Sequence, residues 1–333
     1  MTRWLDEHVP GLLGRGPWHA EVIAGGLSNI MYRLRSGERS VVLRRPPLGN
    51  LLPSAHDMVR EYTVQSALAA SPVPVPALLA ICRDESVIGV PFYVMQDVPG
   101  DVLRTSQDTA ALDPVARAGV AAALVRTLVD LHAVDIDAVG LSDFGRPSGY
   151  AQRQVRRWGQ QWERSATREL PDMATLLGLL AERVPPQPES AILHGDYRLD
   201  NTIVDGSADP PRVRAVLDWE LSTLGDPLAD LGLLLTYWYD GSGVEDAAIP
   251  QGAGLTAAAG FPTADQLAEQ YGTLSGRDLS GLAFYRALGA MKLAVILEGV
   301  HARYLGGQTV GAGYDRVGPA VPVLTARALD LLR

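Results

Sequence analysis

Along residues 19–45, short apolar runs bounded by turn residues read as strands. HAEVIAGG and NIMYRLRS flank a turn at Gly25 and Gly26, and RSVVLRR follows a second turn at Ser36 and Gly37, predicting three antiparallel strands. Residues 55–70 then change to helical spacing, with Met58, Tyr62, Leu68 and Ala69 as the apolar positions, until the PVPVP run at 72–76 breaks the helix. ALLAIC and GVPFYVM are the next strand candidates, and Val98, Pro99 and Gly100 close them. From about residue 101 the chain reads as helix, apart from a strand-rich island at 190–218 and a Gly/Ala-rich stretch at 240–262 too weakly patterned for core. The expectation is a small sheet-plus-helix unit over 1–97 joined near residues 96–100 to a mainly helical unit over 98–333. No internal repeat is visible.

Composition narrows the chemistry. With 333 residues the chain is long enough for two lobes and a sizeable core. Hydrophobic residues make up 47% and charged residues 20%, a globular and not a disordered balance. Cys82 stands alone, so neither an intrachain disulfide nor a CxxC metal site can form, which fits a reducing compartment. The opening MTRWLDEHVP lacks the apolar segment of a secretory signal, and no apolar run is long enough to span a bilayer. A soluble cytoplasmic protein is expected. The net charge of −9 argues against a nucleic-acid partner, because phosphate contacts need a basic surface.

Lys292 is the only lysine, so nearly all the positive charge is arginine. It follows Met291 and is not preceded by glycine, which excludes a P-loop. The chain also lacks GxGxxG, GxSxG and HxxxH, removing the usual dinucleotide fingerprint, the nucleophile elbow and the zincin pair.

Chemistry concentrates in the island. Residues 192–204 read ILHGDYRLDNTIV and 213–220 read VRAVLDWE, so two short apolar strands each deliver carboxylates at an end. Asp196 and Asn201 are five apart across a loop, and Asp218 closes the second strand. Phosphoryl transfer needs a carboxylate to orient the attacking hydroxyl and oxygen donors to hold Mg²⁺ on the phosphates, and D-x-x-x-x-N followed by a strand-borne Asp matches the kinase arrangement. The alternative is that Asp196, Asp200 and Asn201 form an Asx-type turn and Asp218 ends a strand.

HGDYRLDN, AVLDWE and GDPLADLG together resemble the aminoglycoside phosphotransferase family, small-molecule kinases with a protein-kinase-like fold. GGLSN, VVLRRPP, SAHDMVREY, YVMQDVPG, LHAVD and RQVRRWGQQW extend the resemblance over about residues 20–305, towards the subgroup related to the kinase-like domain fused to some acyl-CoA dehydrogenases. The resemblance implies a two-lobed α+β fold with a small antiparallel β-sheet in the N-lobe, a mainly helical C-lobe and an active site between them. It implies Asp196 as catalytic base, Asn201 and Asp218 as Mg²⁺ ligands, and Gly25, Gly26, Ser28 and Asn29 in the loop over the phosphates of ATP or GTP. Arg44 stands where such kinases have a strand lysine, with Glu61 as its helix partner, and Gln96 and Val98 lie in the hinge that meets the base. Arginine keeps the charge and adds a forked donor set, so phosphate binding can survive the exchange; the other reading of Arg44 is a surface strand residue.

His194 is expected to brace the loop. Asp226 followed by Pro227 reads as a helix start, a structural reason for Asp226 and Asp230, although the resemblance suggests that one of the two also props the catalytic loop. Residues 148–168 place Val155, Trp158 and Trp162 on one helical face and Arg153, Arg157, Arg164 and Arg168 on another, either a solvated face or a wall for an anionic acceptor. A long helix over about 280–304 carries Tyr285, Lys292 and Glu298, with Lys292 expected to snorkel and a substrate contact as the alternative. The function expected is Mg²⁺-dependent phosphorylation of a hydroxylated small molecule, with a hydroxy acid or hydroxyacyl-CoA favoured as acceptor. An antibiotic kinase, a choline- or homoserine-type kinase and a nucleotide-sensing pseudokinase are the alternatives.

Overall fold

The computed structural model describes residues 1–9, 18–23, 29–47, 57–239, 254–309 and 313–333. The chain divides into two compact units, Met1–Gly100 with Arg214–Ser222, and Asp101–Val213 with Thr223–Arg333. The excursion Arg214–Ser222 into the first unit lies inside the span expected for the second.

In the first unit, helix α1 (Thr2–His8) precedes β1 (His19–Ile23), β2 (Ile30–Ser36), β3 (Arg39–Arg45), helix α2 (Met58–Leu68), β4 (Leu78–Cys82) and β5 (Phe92–Gln96). The strands form one antiparallel sheet in the order β1-β2-β3-β5-β4. Central β3 shows how strand periodicity builds two cores. Val41 and Leu43 face one side with Leu34, Phe92, Val94 and Leu5 of α1, while Val42 faces the other with Tyr93, Met95 and Met58 of α2. Arg44, two residues from Val42, is therefore carried onto the α2 side. Asp57 caps α2 by accepting from the backbone N–H groups of Val59 and Arg60, and this cap starts the helix at Met58.

The second unit contains α3 (Ser106–Ala110), α4 (Pro114–His132), α5 (Tyr150–Ser165), α6 (Pro171–Glu182), β6 (Ala191–Leu193) and β7 (Thr202–Asp205). The chain crosses into the first unit within β8 (Arg212–Val216). It returns through β9 (Thr223–Gly225), α7 (Leu228–Tyr237), α8 (Ala264–Ser275), α9 (Leu282–Leu305) and α10 (Val317–Leu331). β9 pairs antiparallel with β6 and extends the strand-rich island past residue 218; its three residues Thr-Leu-Gly are too short to show a period. Helices α7 and α9 touch through Gly232, where a Cβ would sit 2.5 Å from the Tyr285 carbonyl carbon. Of the Gly/Ala-rich stretch, 240–253 lies outside the described residues. The rest departs from expectation, because Leu255 and Thr256 are buried and the Thr256 hydroxyl bonds both the N–H and the carbonyl of Tyr239. No helix among the described residues is long and apolar enough to cross a membrane.

Candidate active site

In the first unit the sheet and α2 bring charged groups together. Arg44 is 4% exposed, so the surface reading of this residue fails. Its Nε donates to Glu61 Oε2 at 2.8 Å, and its Nη2 also bonds Asp218 Oδ1. Glu61, fully buried on α2, accepts in addition from Asn29 Nδ2 at 3.1 Å and from the Tyr93 hydroxyl at 3.1 Å. Asn29 Nδ2 reaches Glu220 Oε2 as well, at 3.0 Å. Burial, opposed by Arg44 and reinforced by Asp218, raises the Glu61 carboxyl to about 7. One guanidinium thus spans two carboxylates, which a lysine ammonium has no planar fork to do.

Asp218 holds its carboxylate there from a left-handed backbone (φ 64), the one positive φ outside glycine among the described residues. A side chain in that region costs about 1 kcal/mol or more, a common mark of a functional position. Trp219, fully buried, anchors the next residue by donating Nε1–H to the Val216 carbonyl at 3.0 Å.

Gly25, Gly26 and Ser28 lie outside the described residues. Gln96 ends β5 with an exposed side chain and donates its N–H to the Ala77 carbonyl; Val98 is half-buried. Between them Asp97, which sequence reasoning passed over, takes a bidentate Arg33 contact (2.8 and 3.2 Å) and the Ser40 hydroxyl at 2.7 Å. The available signal was register, since Arg33 and Ser40 sit on β2 and β3 beside the end of β5.

In the second unit the loop after β6 carries Asp196. Gly195 adopts φ +83, a turn that glycine makes without steric penalty. Asn201 Nδ2 donates to both the carbonyl and Oδ2 of Asp196, each at 2.9 Å, leaving its amide oxygen as an acceptor. Arg198 flanks the pair, with Nε 3.4 Å from Asp196 Oδ2 and Nη2 3.1 Å from Asp200 Oδ2, and its guanidinium lies 4.7 Å from the Tyr237 ring centre. The Asp196 side chain stays 25% exposed, so a ligand can reach it.

The loop is braced from below. Asp230 accepts from the backbone N–H groups of His194 (2.6 Å) and Gly195 (2.8 Å), and His132 Nε2 lies 3.4 Å from its Oδ2. Burial pushes the Asp230 carboxyl up, but His132, His194 and the Gly195 N–H outweigh it and hold the group below the usual range. Asp230 therefore props the loop and is more than a helix-start residue. The N-cap position of α7 falls on Pro227, one residue later than expected, and Asp226 accepts the Leu228 N–H at 2.9 Å just ahead of it. His194 is buried and accepts the Asp196 N–H at Nδ1, 3.2 Å away, in keeping with a bracing role.

Two of the four arginines of the expected arginine face, Arg153 and Arg168, are occupied by the protein itself. Helix α5 ends at Ser165, and Arg168 beyond it pairs with buried Glu298 at 2.6 Å. Arg153 donates to the carbonyls of Ser148 and Arg146. Arg157 and Arg164 are exposed. Lys292 does not snorkel either, because its Nζ donates to the Gly195 carbonyl at 2.8 Å.

A five-stranded antiparallel sheet with a buried strand-cation and helix-glutamate pair, and a helical unit with a braced HGD loop, define an aminoglycoside-phosphotransferase-like fold. The chain belongs to the phosphotransferase enzyme family, whose pattern matches residues 19–270. A Ralstonia eutropha protein provisionally named an aminoglycoside phosphotransferase superposes with a TM-score of 0.84 at 34% identity, over 99% of this chain and 96% of that one. Acyl-CoA dehydrogenase family member 10 of Mus musculus is 36% identical over 98% of this chain but 30% of its own length. Member 11 of Homo sapiens is 38% identical over 92% of this chain and 39% of its own. The chain thus spans well under half of these curated relatives.

Proposed function

We propose that the chain transfers the γ-phosphoryl group of Mg²⁺-bound ATP or GTP to a hydroxyl of a small molecule. The observation carrying this reading is the Asp196–Asn201 pair, a partly exposed carboxylate fixed by an amide on a loop braced by buried Asp230. Asp196 aligns the acceptor hydroxyl and takes its proton as the new O–P bond forms and the bond to the β-phosphate oxygen breaks, and the proton then passes to solvent. Catalysis here is positioning and electrostatics.

A carboxylate and an amide oxygen are hard donors that suit Mg²⁺, and we assign Asp218 and Asn201 to it. The metal's chemistry is to neutralise phosphate charge. Arg44 supplies a permanent cation, and the 25–29 loop, Gln96 and Val98 complete the nucleotide contacts in this reading. The acyl-CoA dehydrogenase relatives support a hydroxy acid or hydroxyacyl-CoA as acceptor over an aminoglycoside. A silent nucleotide sensor is the second reading, favoured by Arg44, whose guanidinium already satisfies both Glu61 and Asp218.

Calorimetric titration with MgATP and MgGTP, beside Asp218→Ala, tests the nucleotide site. Metal-dependent binding of one of them, lost in the variant, is expected; no binding of either refutes the proposal. Asp196→Asn is expected to abolish turnover with MgATP affinity nearly unchanged, and retained turnover with lost affinity would refute its role.

A further inference from the structure

Within the second unit a cleft opens beside Gly195, lined by Tyr150, Gln154, Trp158, Leu233, Tyr285 and Lys292. Its walls combine aromatic and apolar side chains with Gln154, Lys292 and the Asp230 carboxylate. Lys292 is the cation among them. Its ammonium donates to the Gly195 carbonyl at 2.8 Å and lies 5.8 Å from the centre of the Trp158 ring. Among the described residues no carboxylate lies within ion-pair distance of it, although ordinary ion pairs are frequent elsewhere in the chain. An ammonium has three donors, and one is used. The Tyr285 hydroxyl in the same cleft is buried beside Asp226 without a well-formed hydrogen bond.

Lys292 is half-buried, and its spare donors point to an acceptor, water or ligand, on the open side of the cleft. Burial pushes the Lys292 ammonium's pKa down, while the nearby charges of Asp196 and Asp230 push it up. An aminoglycoside or choline would bring a second cation to this cleft. An acyl oxygen would bring the missing acceptor.

We propose that Lys292 is the specificity residue of the acceptor site, binding the acyl oxygen of the acceptor while Asp196 receives its hydroxyl. This rests on the phosphotransferase reading for the hydroxyl, but not for the binding of the acyl group. The acyl oxygen belongs either to a free carboxylate or to a thioester carbonyl, and Lys292 suits both. Because Lys292 bonds the carbonyl next to Asp196, the two ends of a short hydroxy acid fall on neighbouring residues of one loop.

The single lysine makes the test direct. Biosynthetic incorporation of [ε-¹³C,¹⁵N]lysine labels Lys292 alone and leaves its ammonium donors intact. The labelled protein is titrated with butyrate, butyryl-CoA and 1-butanol, none of which carries a hydroxy-acid acceptor group. The Lys292 resonance is expected to shift saturably with butyrate or butyryl-CoA and not with butanol, and whichever binds more tightly identifies carboxylate or thioester. Absence of a shift with both acyl compounds, in protein that still binds MgATP, overturns the proposal. Lys292→Met is expected to weaken acyl binding about 10- to 100-fold, with Lys292→Arg recovering part of it. On any hydroxy acid that is turned over, the Met variant should raise KM more than it lowers kcat. A fall in kcat with KM unmoved would mean that Lys292 acts only through Gly195, and would also overturn the proposal. Failure of every hydroxy acid and hydroxyacyl-CoA to react would refute the acyl acceptor in the proposed function, while the butyrate titration would still decide whether Lys292 binds an acyl group.

Discussion

Asp230→Asn tests how the catalytic loop is held. The wild-type carboxylate takes two buried backbone N–H groups, from His194 at 2.6 Å and Gly195 at 2.8 Å. An asparagine of the same shape keeps one oxygen, but presents its NH₂ to the other N–H, donor against donor. One buried donor is then left unpaired and the remaining bond loses its charge, a cost of about 2–3 kcal/mol. In a unit of this size that is a fall of roughly 5–10 °C in melting temperature, read by scanning calorimetry. The pH dependence has a definite sign. Asp230 is held below its ordinary pKa, so its contribution is present above the unfolded value and is lost as pH falls through the folded one. The gap between wild type and variant should stay constant from neutral pH down to about 4, where a free aspartate titrates, and shrink below it. A gap that widens on acidification, or a variant melting with the wild type, would refute the brace.

Two other substitutions probe the packing around the sites. Arg44→Met leaves Glu61 and Asp218 without their shared cation, and should cost about 3–5 kcal/mol in urea unfolding as well as MgATP binding; an unchanged midpoint would show that the pair contributes nothing. Gly232→Ala drives a methyl into the Tyr285 backbone at 2.5 Å and should destabilise by about 1–3 kcal/mol, with denaturant melts as the check.

What could be read from the chain follows the physics of periodicity. The β2 and β3 strands were legible from short apolar runs bounded by turn residues, Val41-Val42-Leu43 being apolar on both packed faces, and Arg44 followed from counting two from Val42. The HGD loop was legible because its residues form a dense local word. Long-range contacts were not. The Asp230 brace joins residues 35 and 36 apart, and the sequence around it already reads as a helix start, so nothing local demands a second role and the family resemblance alone suggested that Asp226 or Asp230 has one. Arg168 shows the converse. Helical spacing puts it on the arginine face, but α5 ends three residues earlier and the side chain pairs with Glu298, 130 positions away.

Lys292 carries the same lesson one step further. On α9 it sits among buried residues, and a sequence with 29 basic residues of which one is lysine gives no local reason to prefer a site over a snorkelling stem. The difference lies at the far end of the side chain. A snorkelling lysine ends in water, where its charge is solvated at no cost. This one ends on the Gly195 carbonyl, 97 residues away in sequence and one residue from the proposed base. Arginine in its place would spread five donors over a wider fork, whereas an ammonium is a compact charge that fits beside a single carbonyl and leaves its other donors for a ligand. In a chain that otherwise uses arginine everywhere, that geometry gives a physical reason for a lysine here.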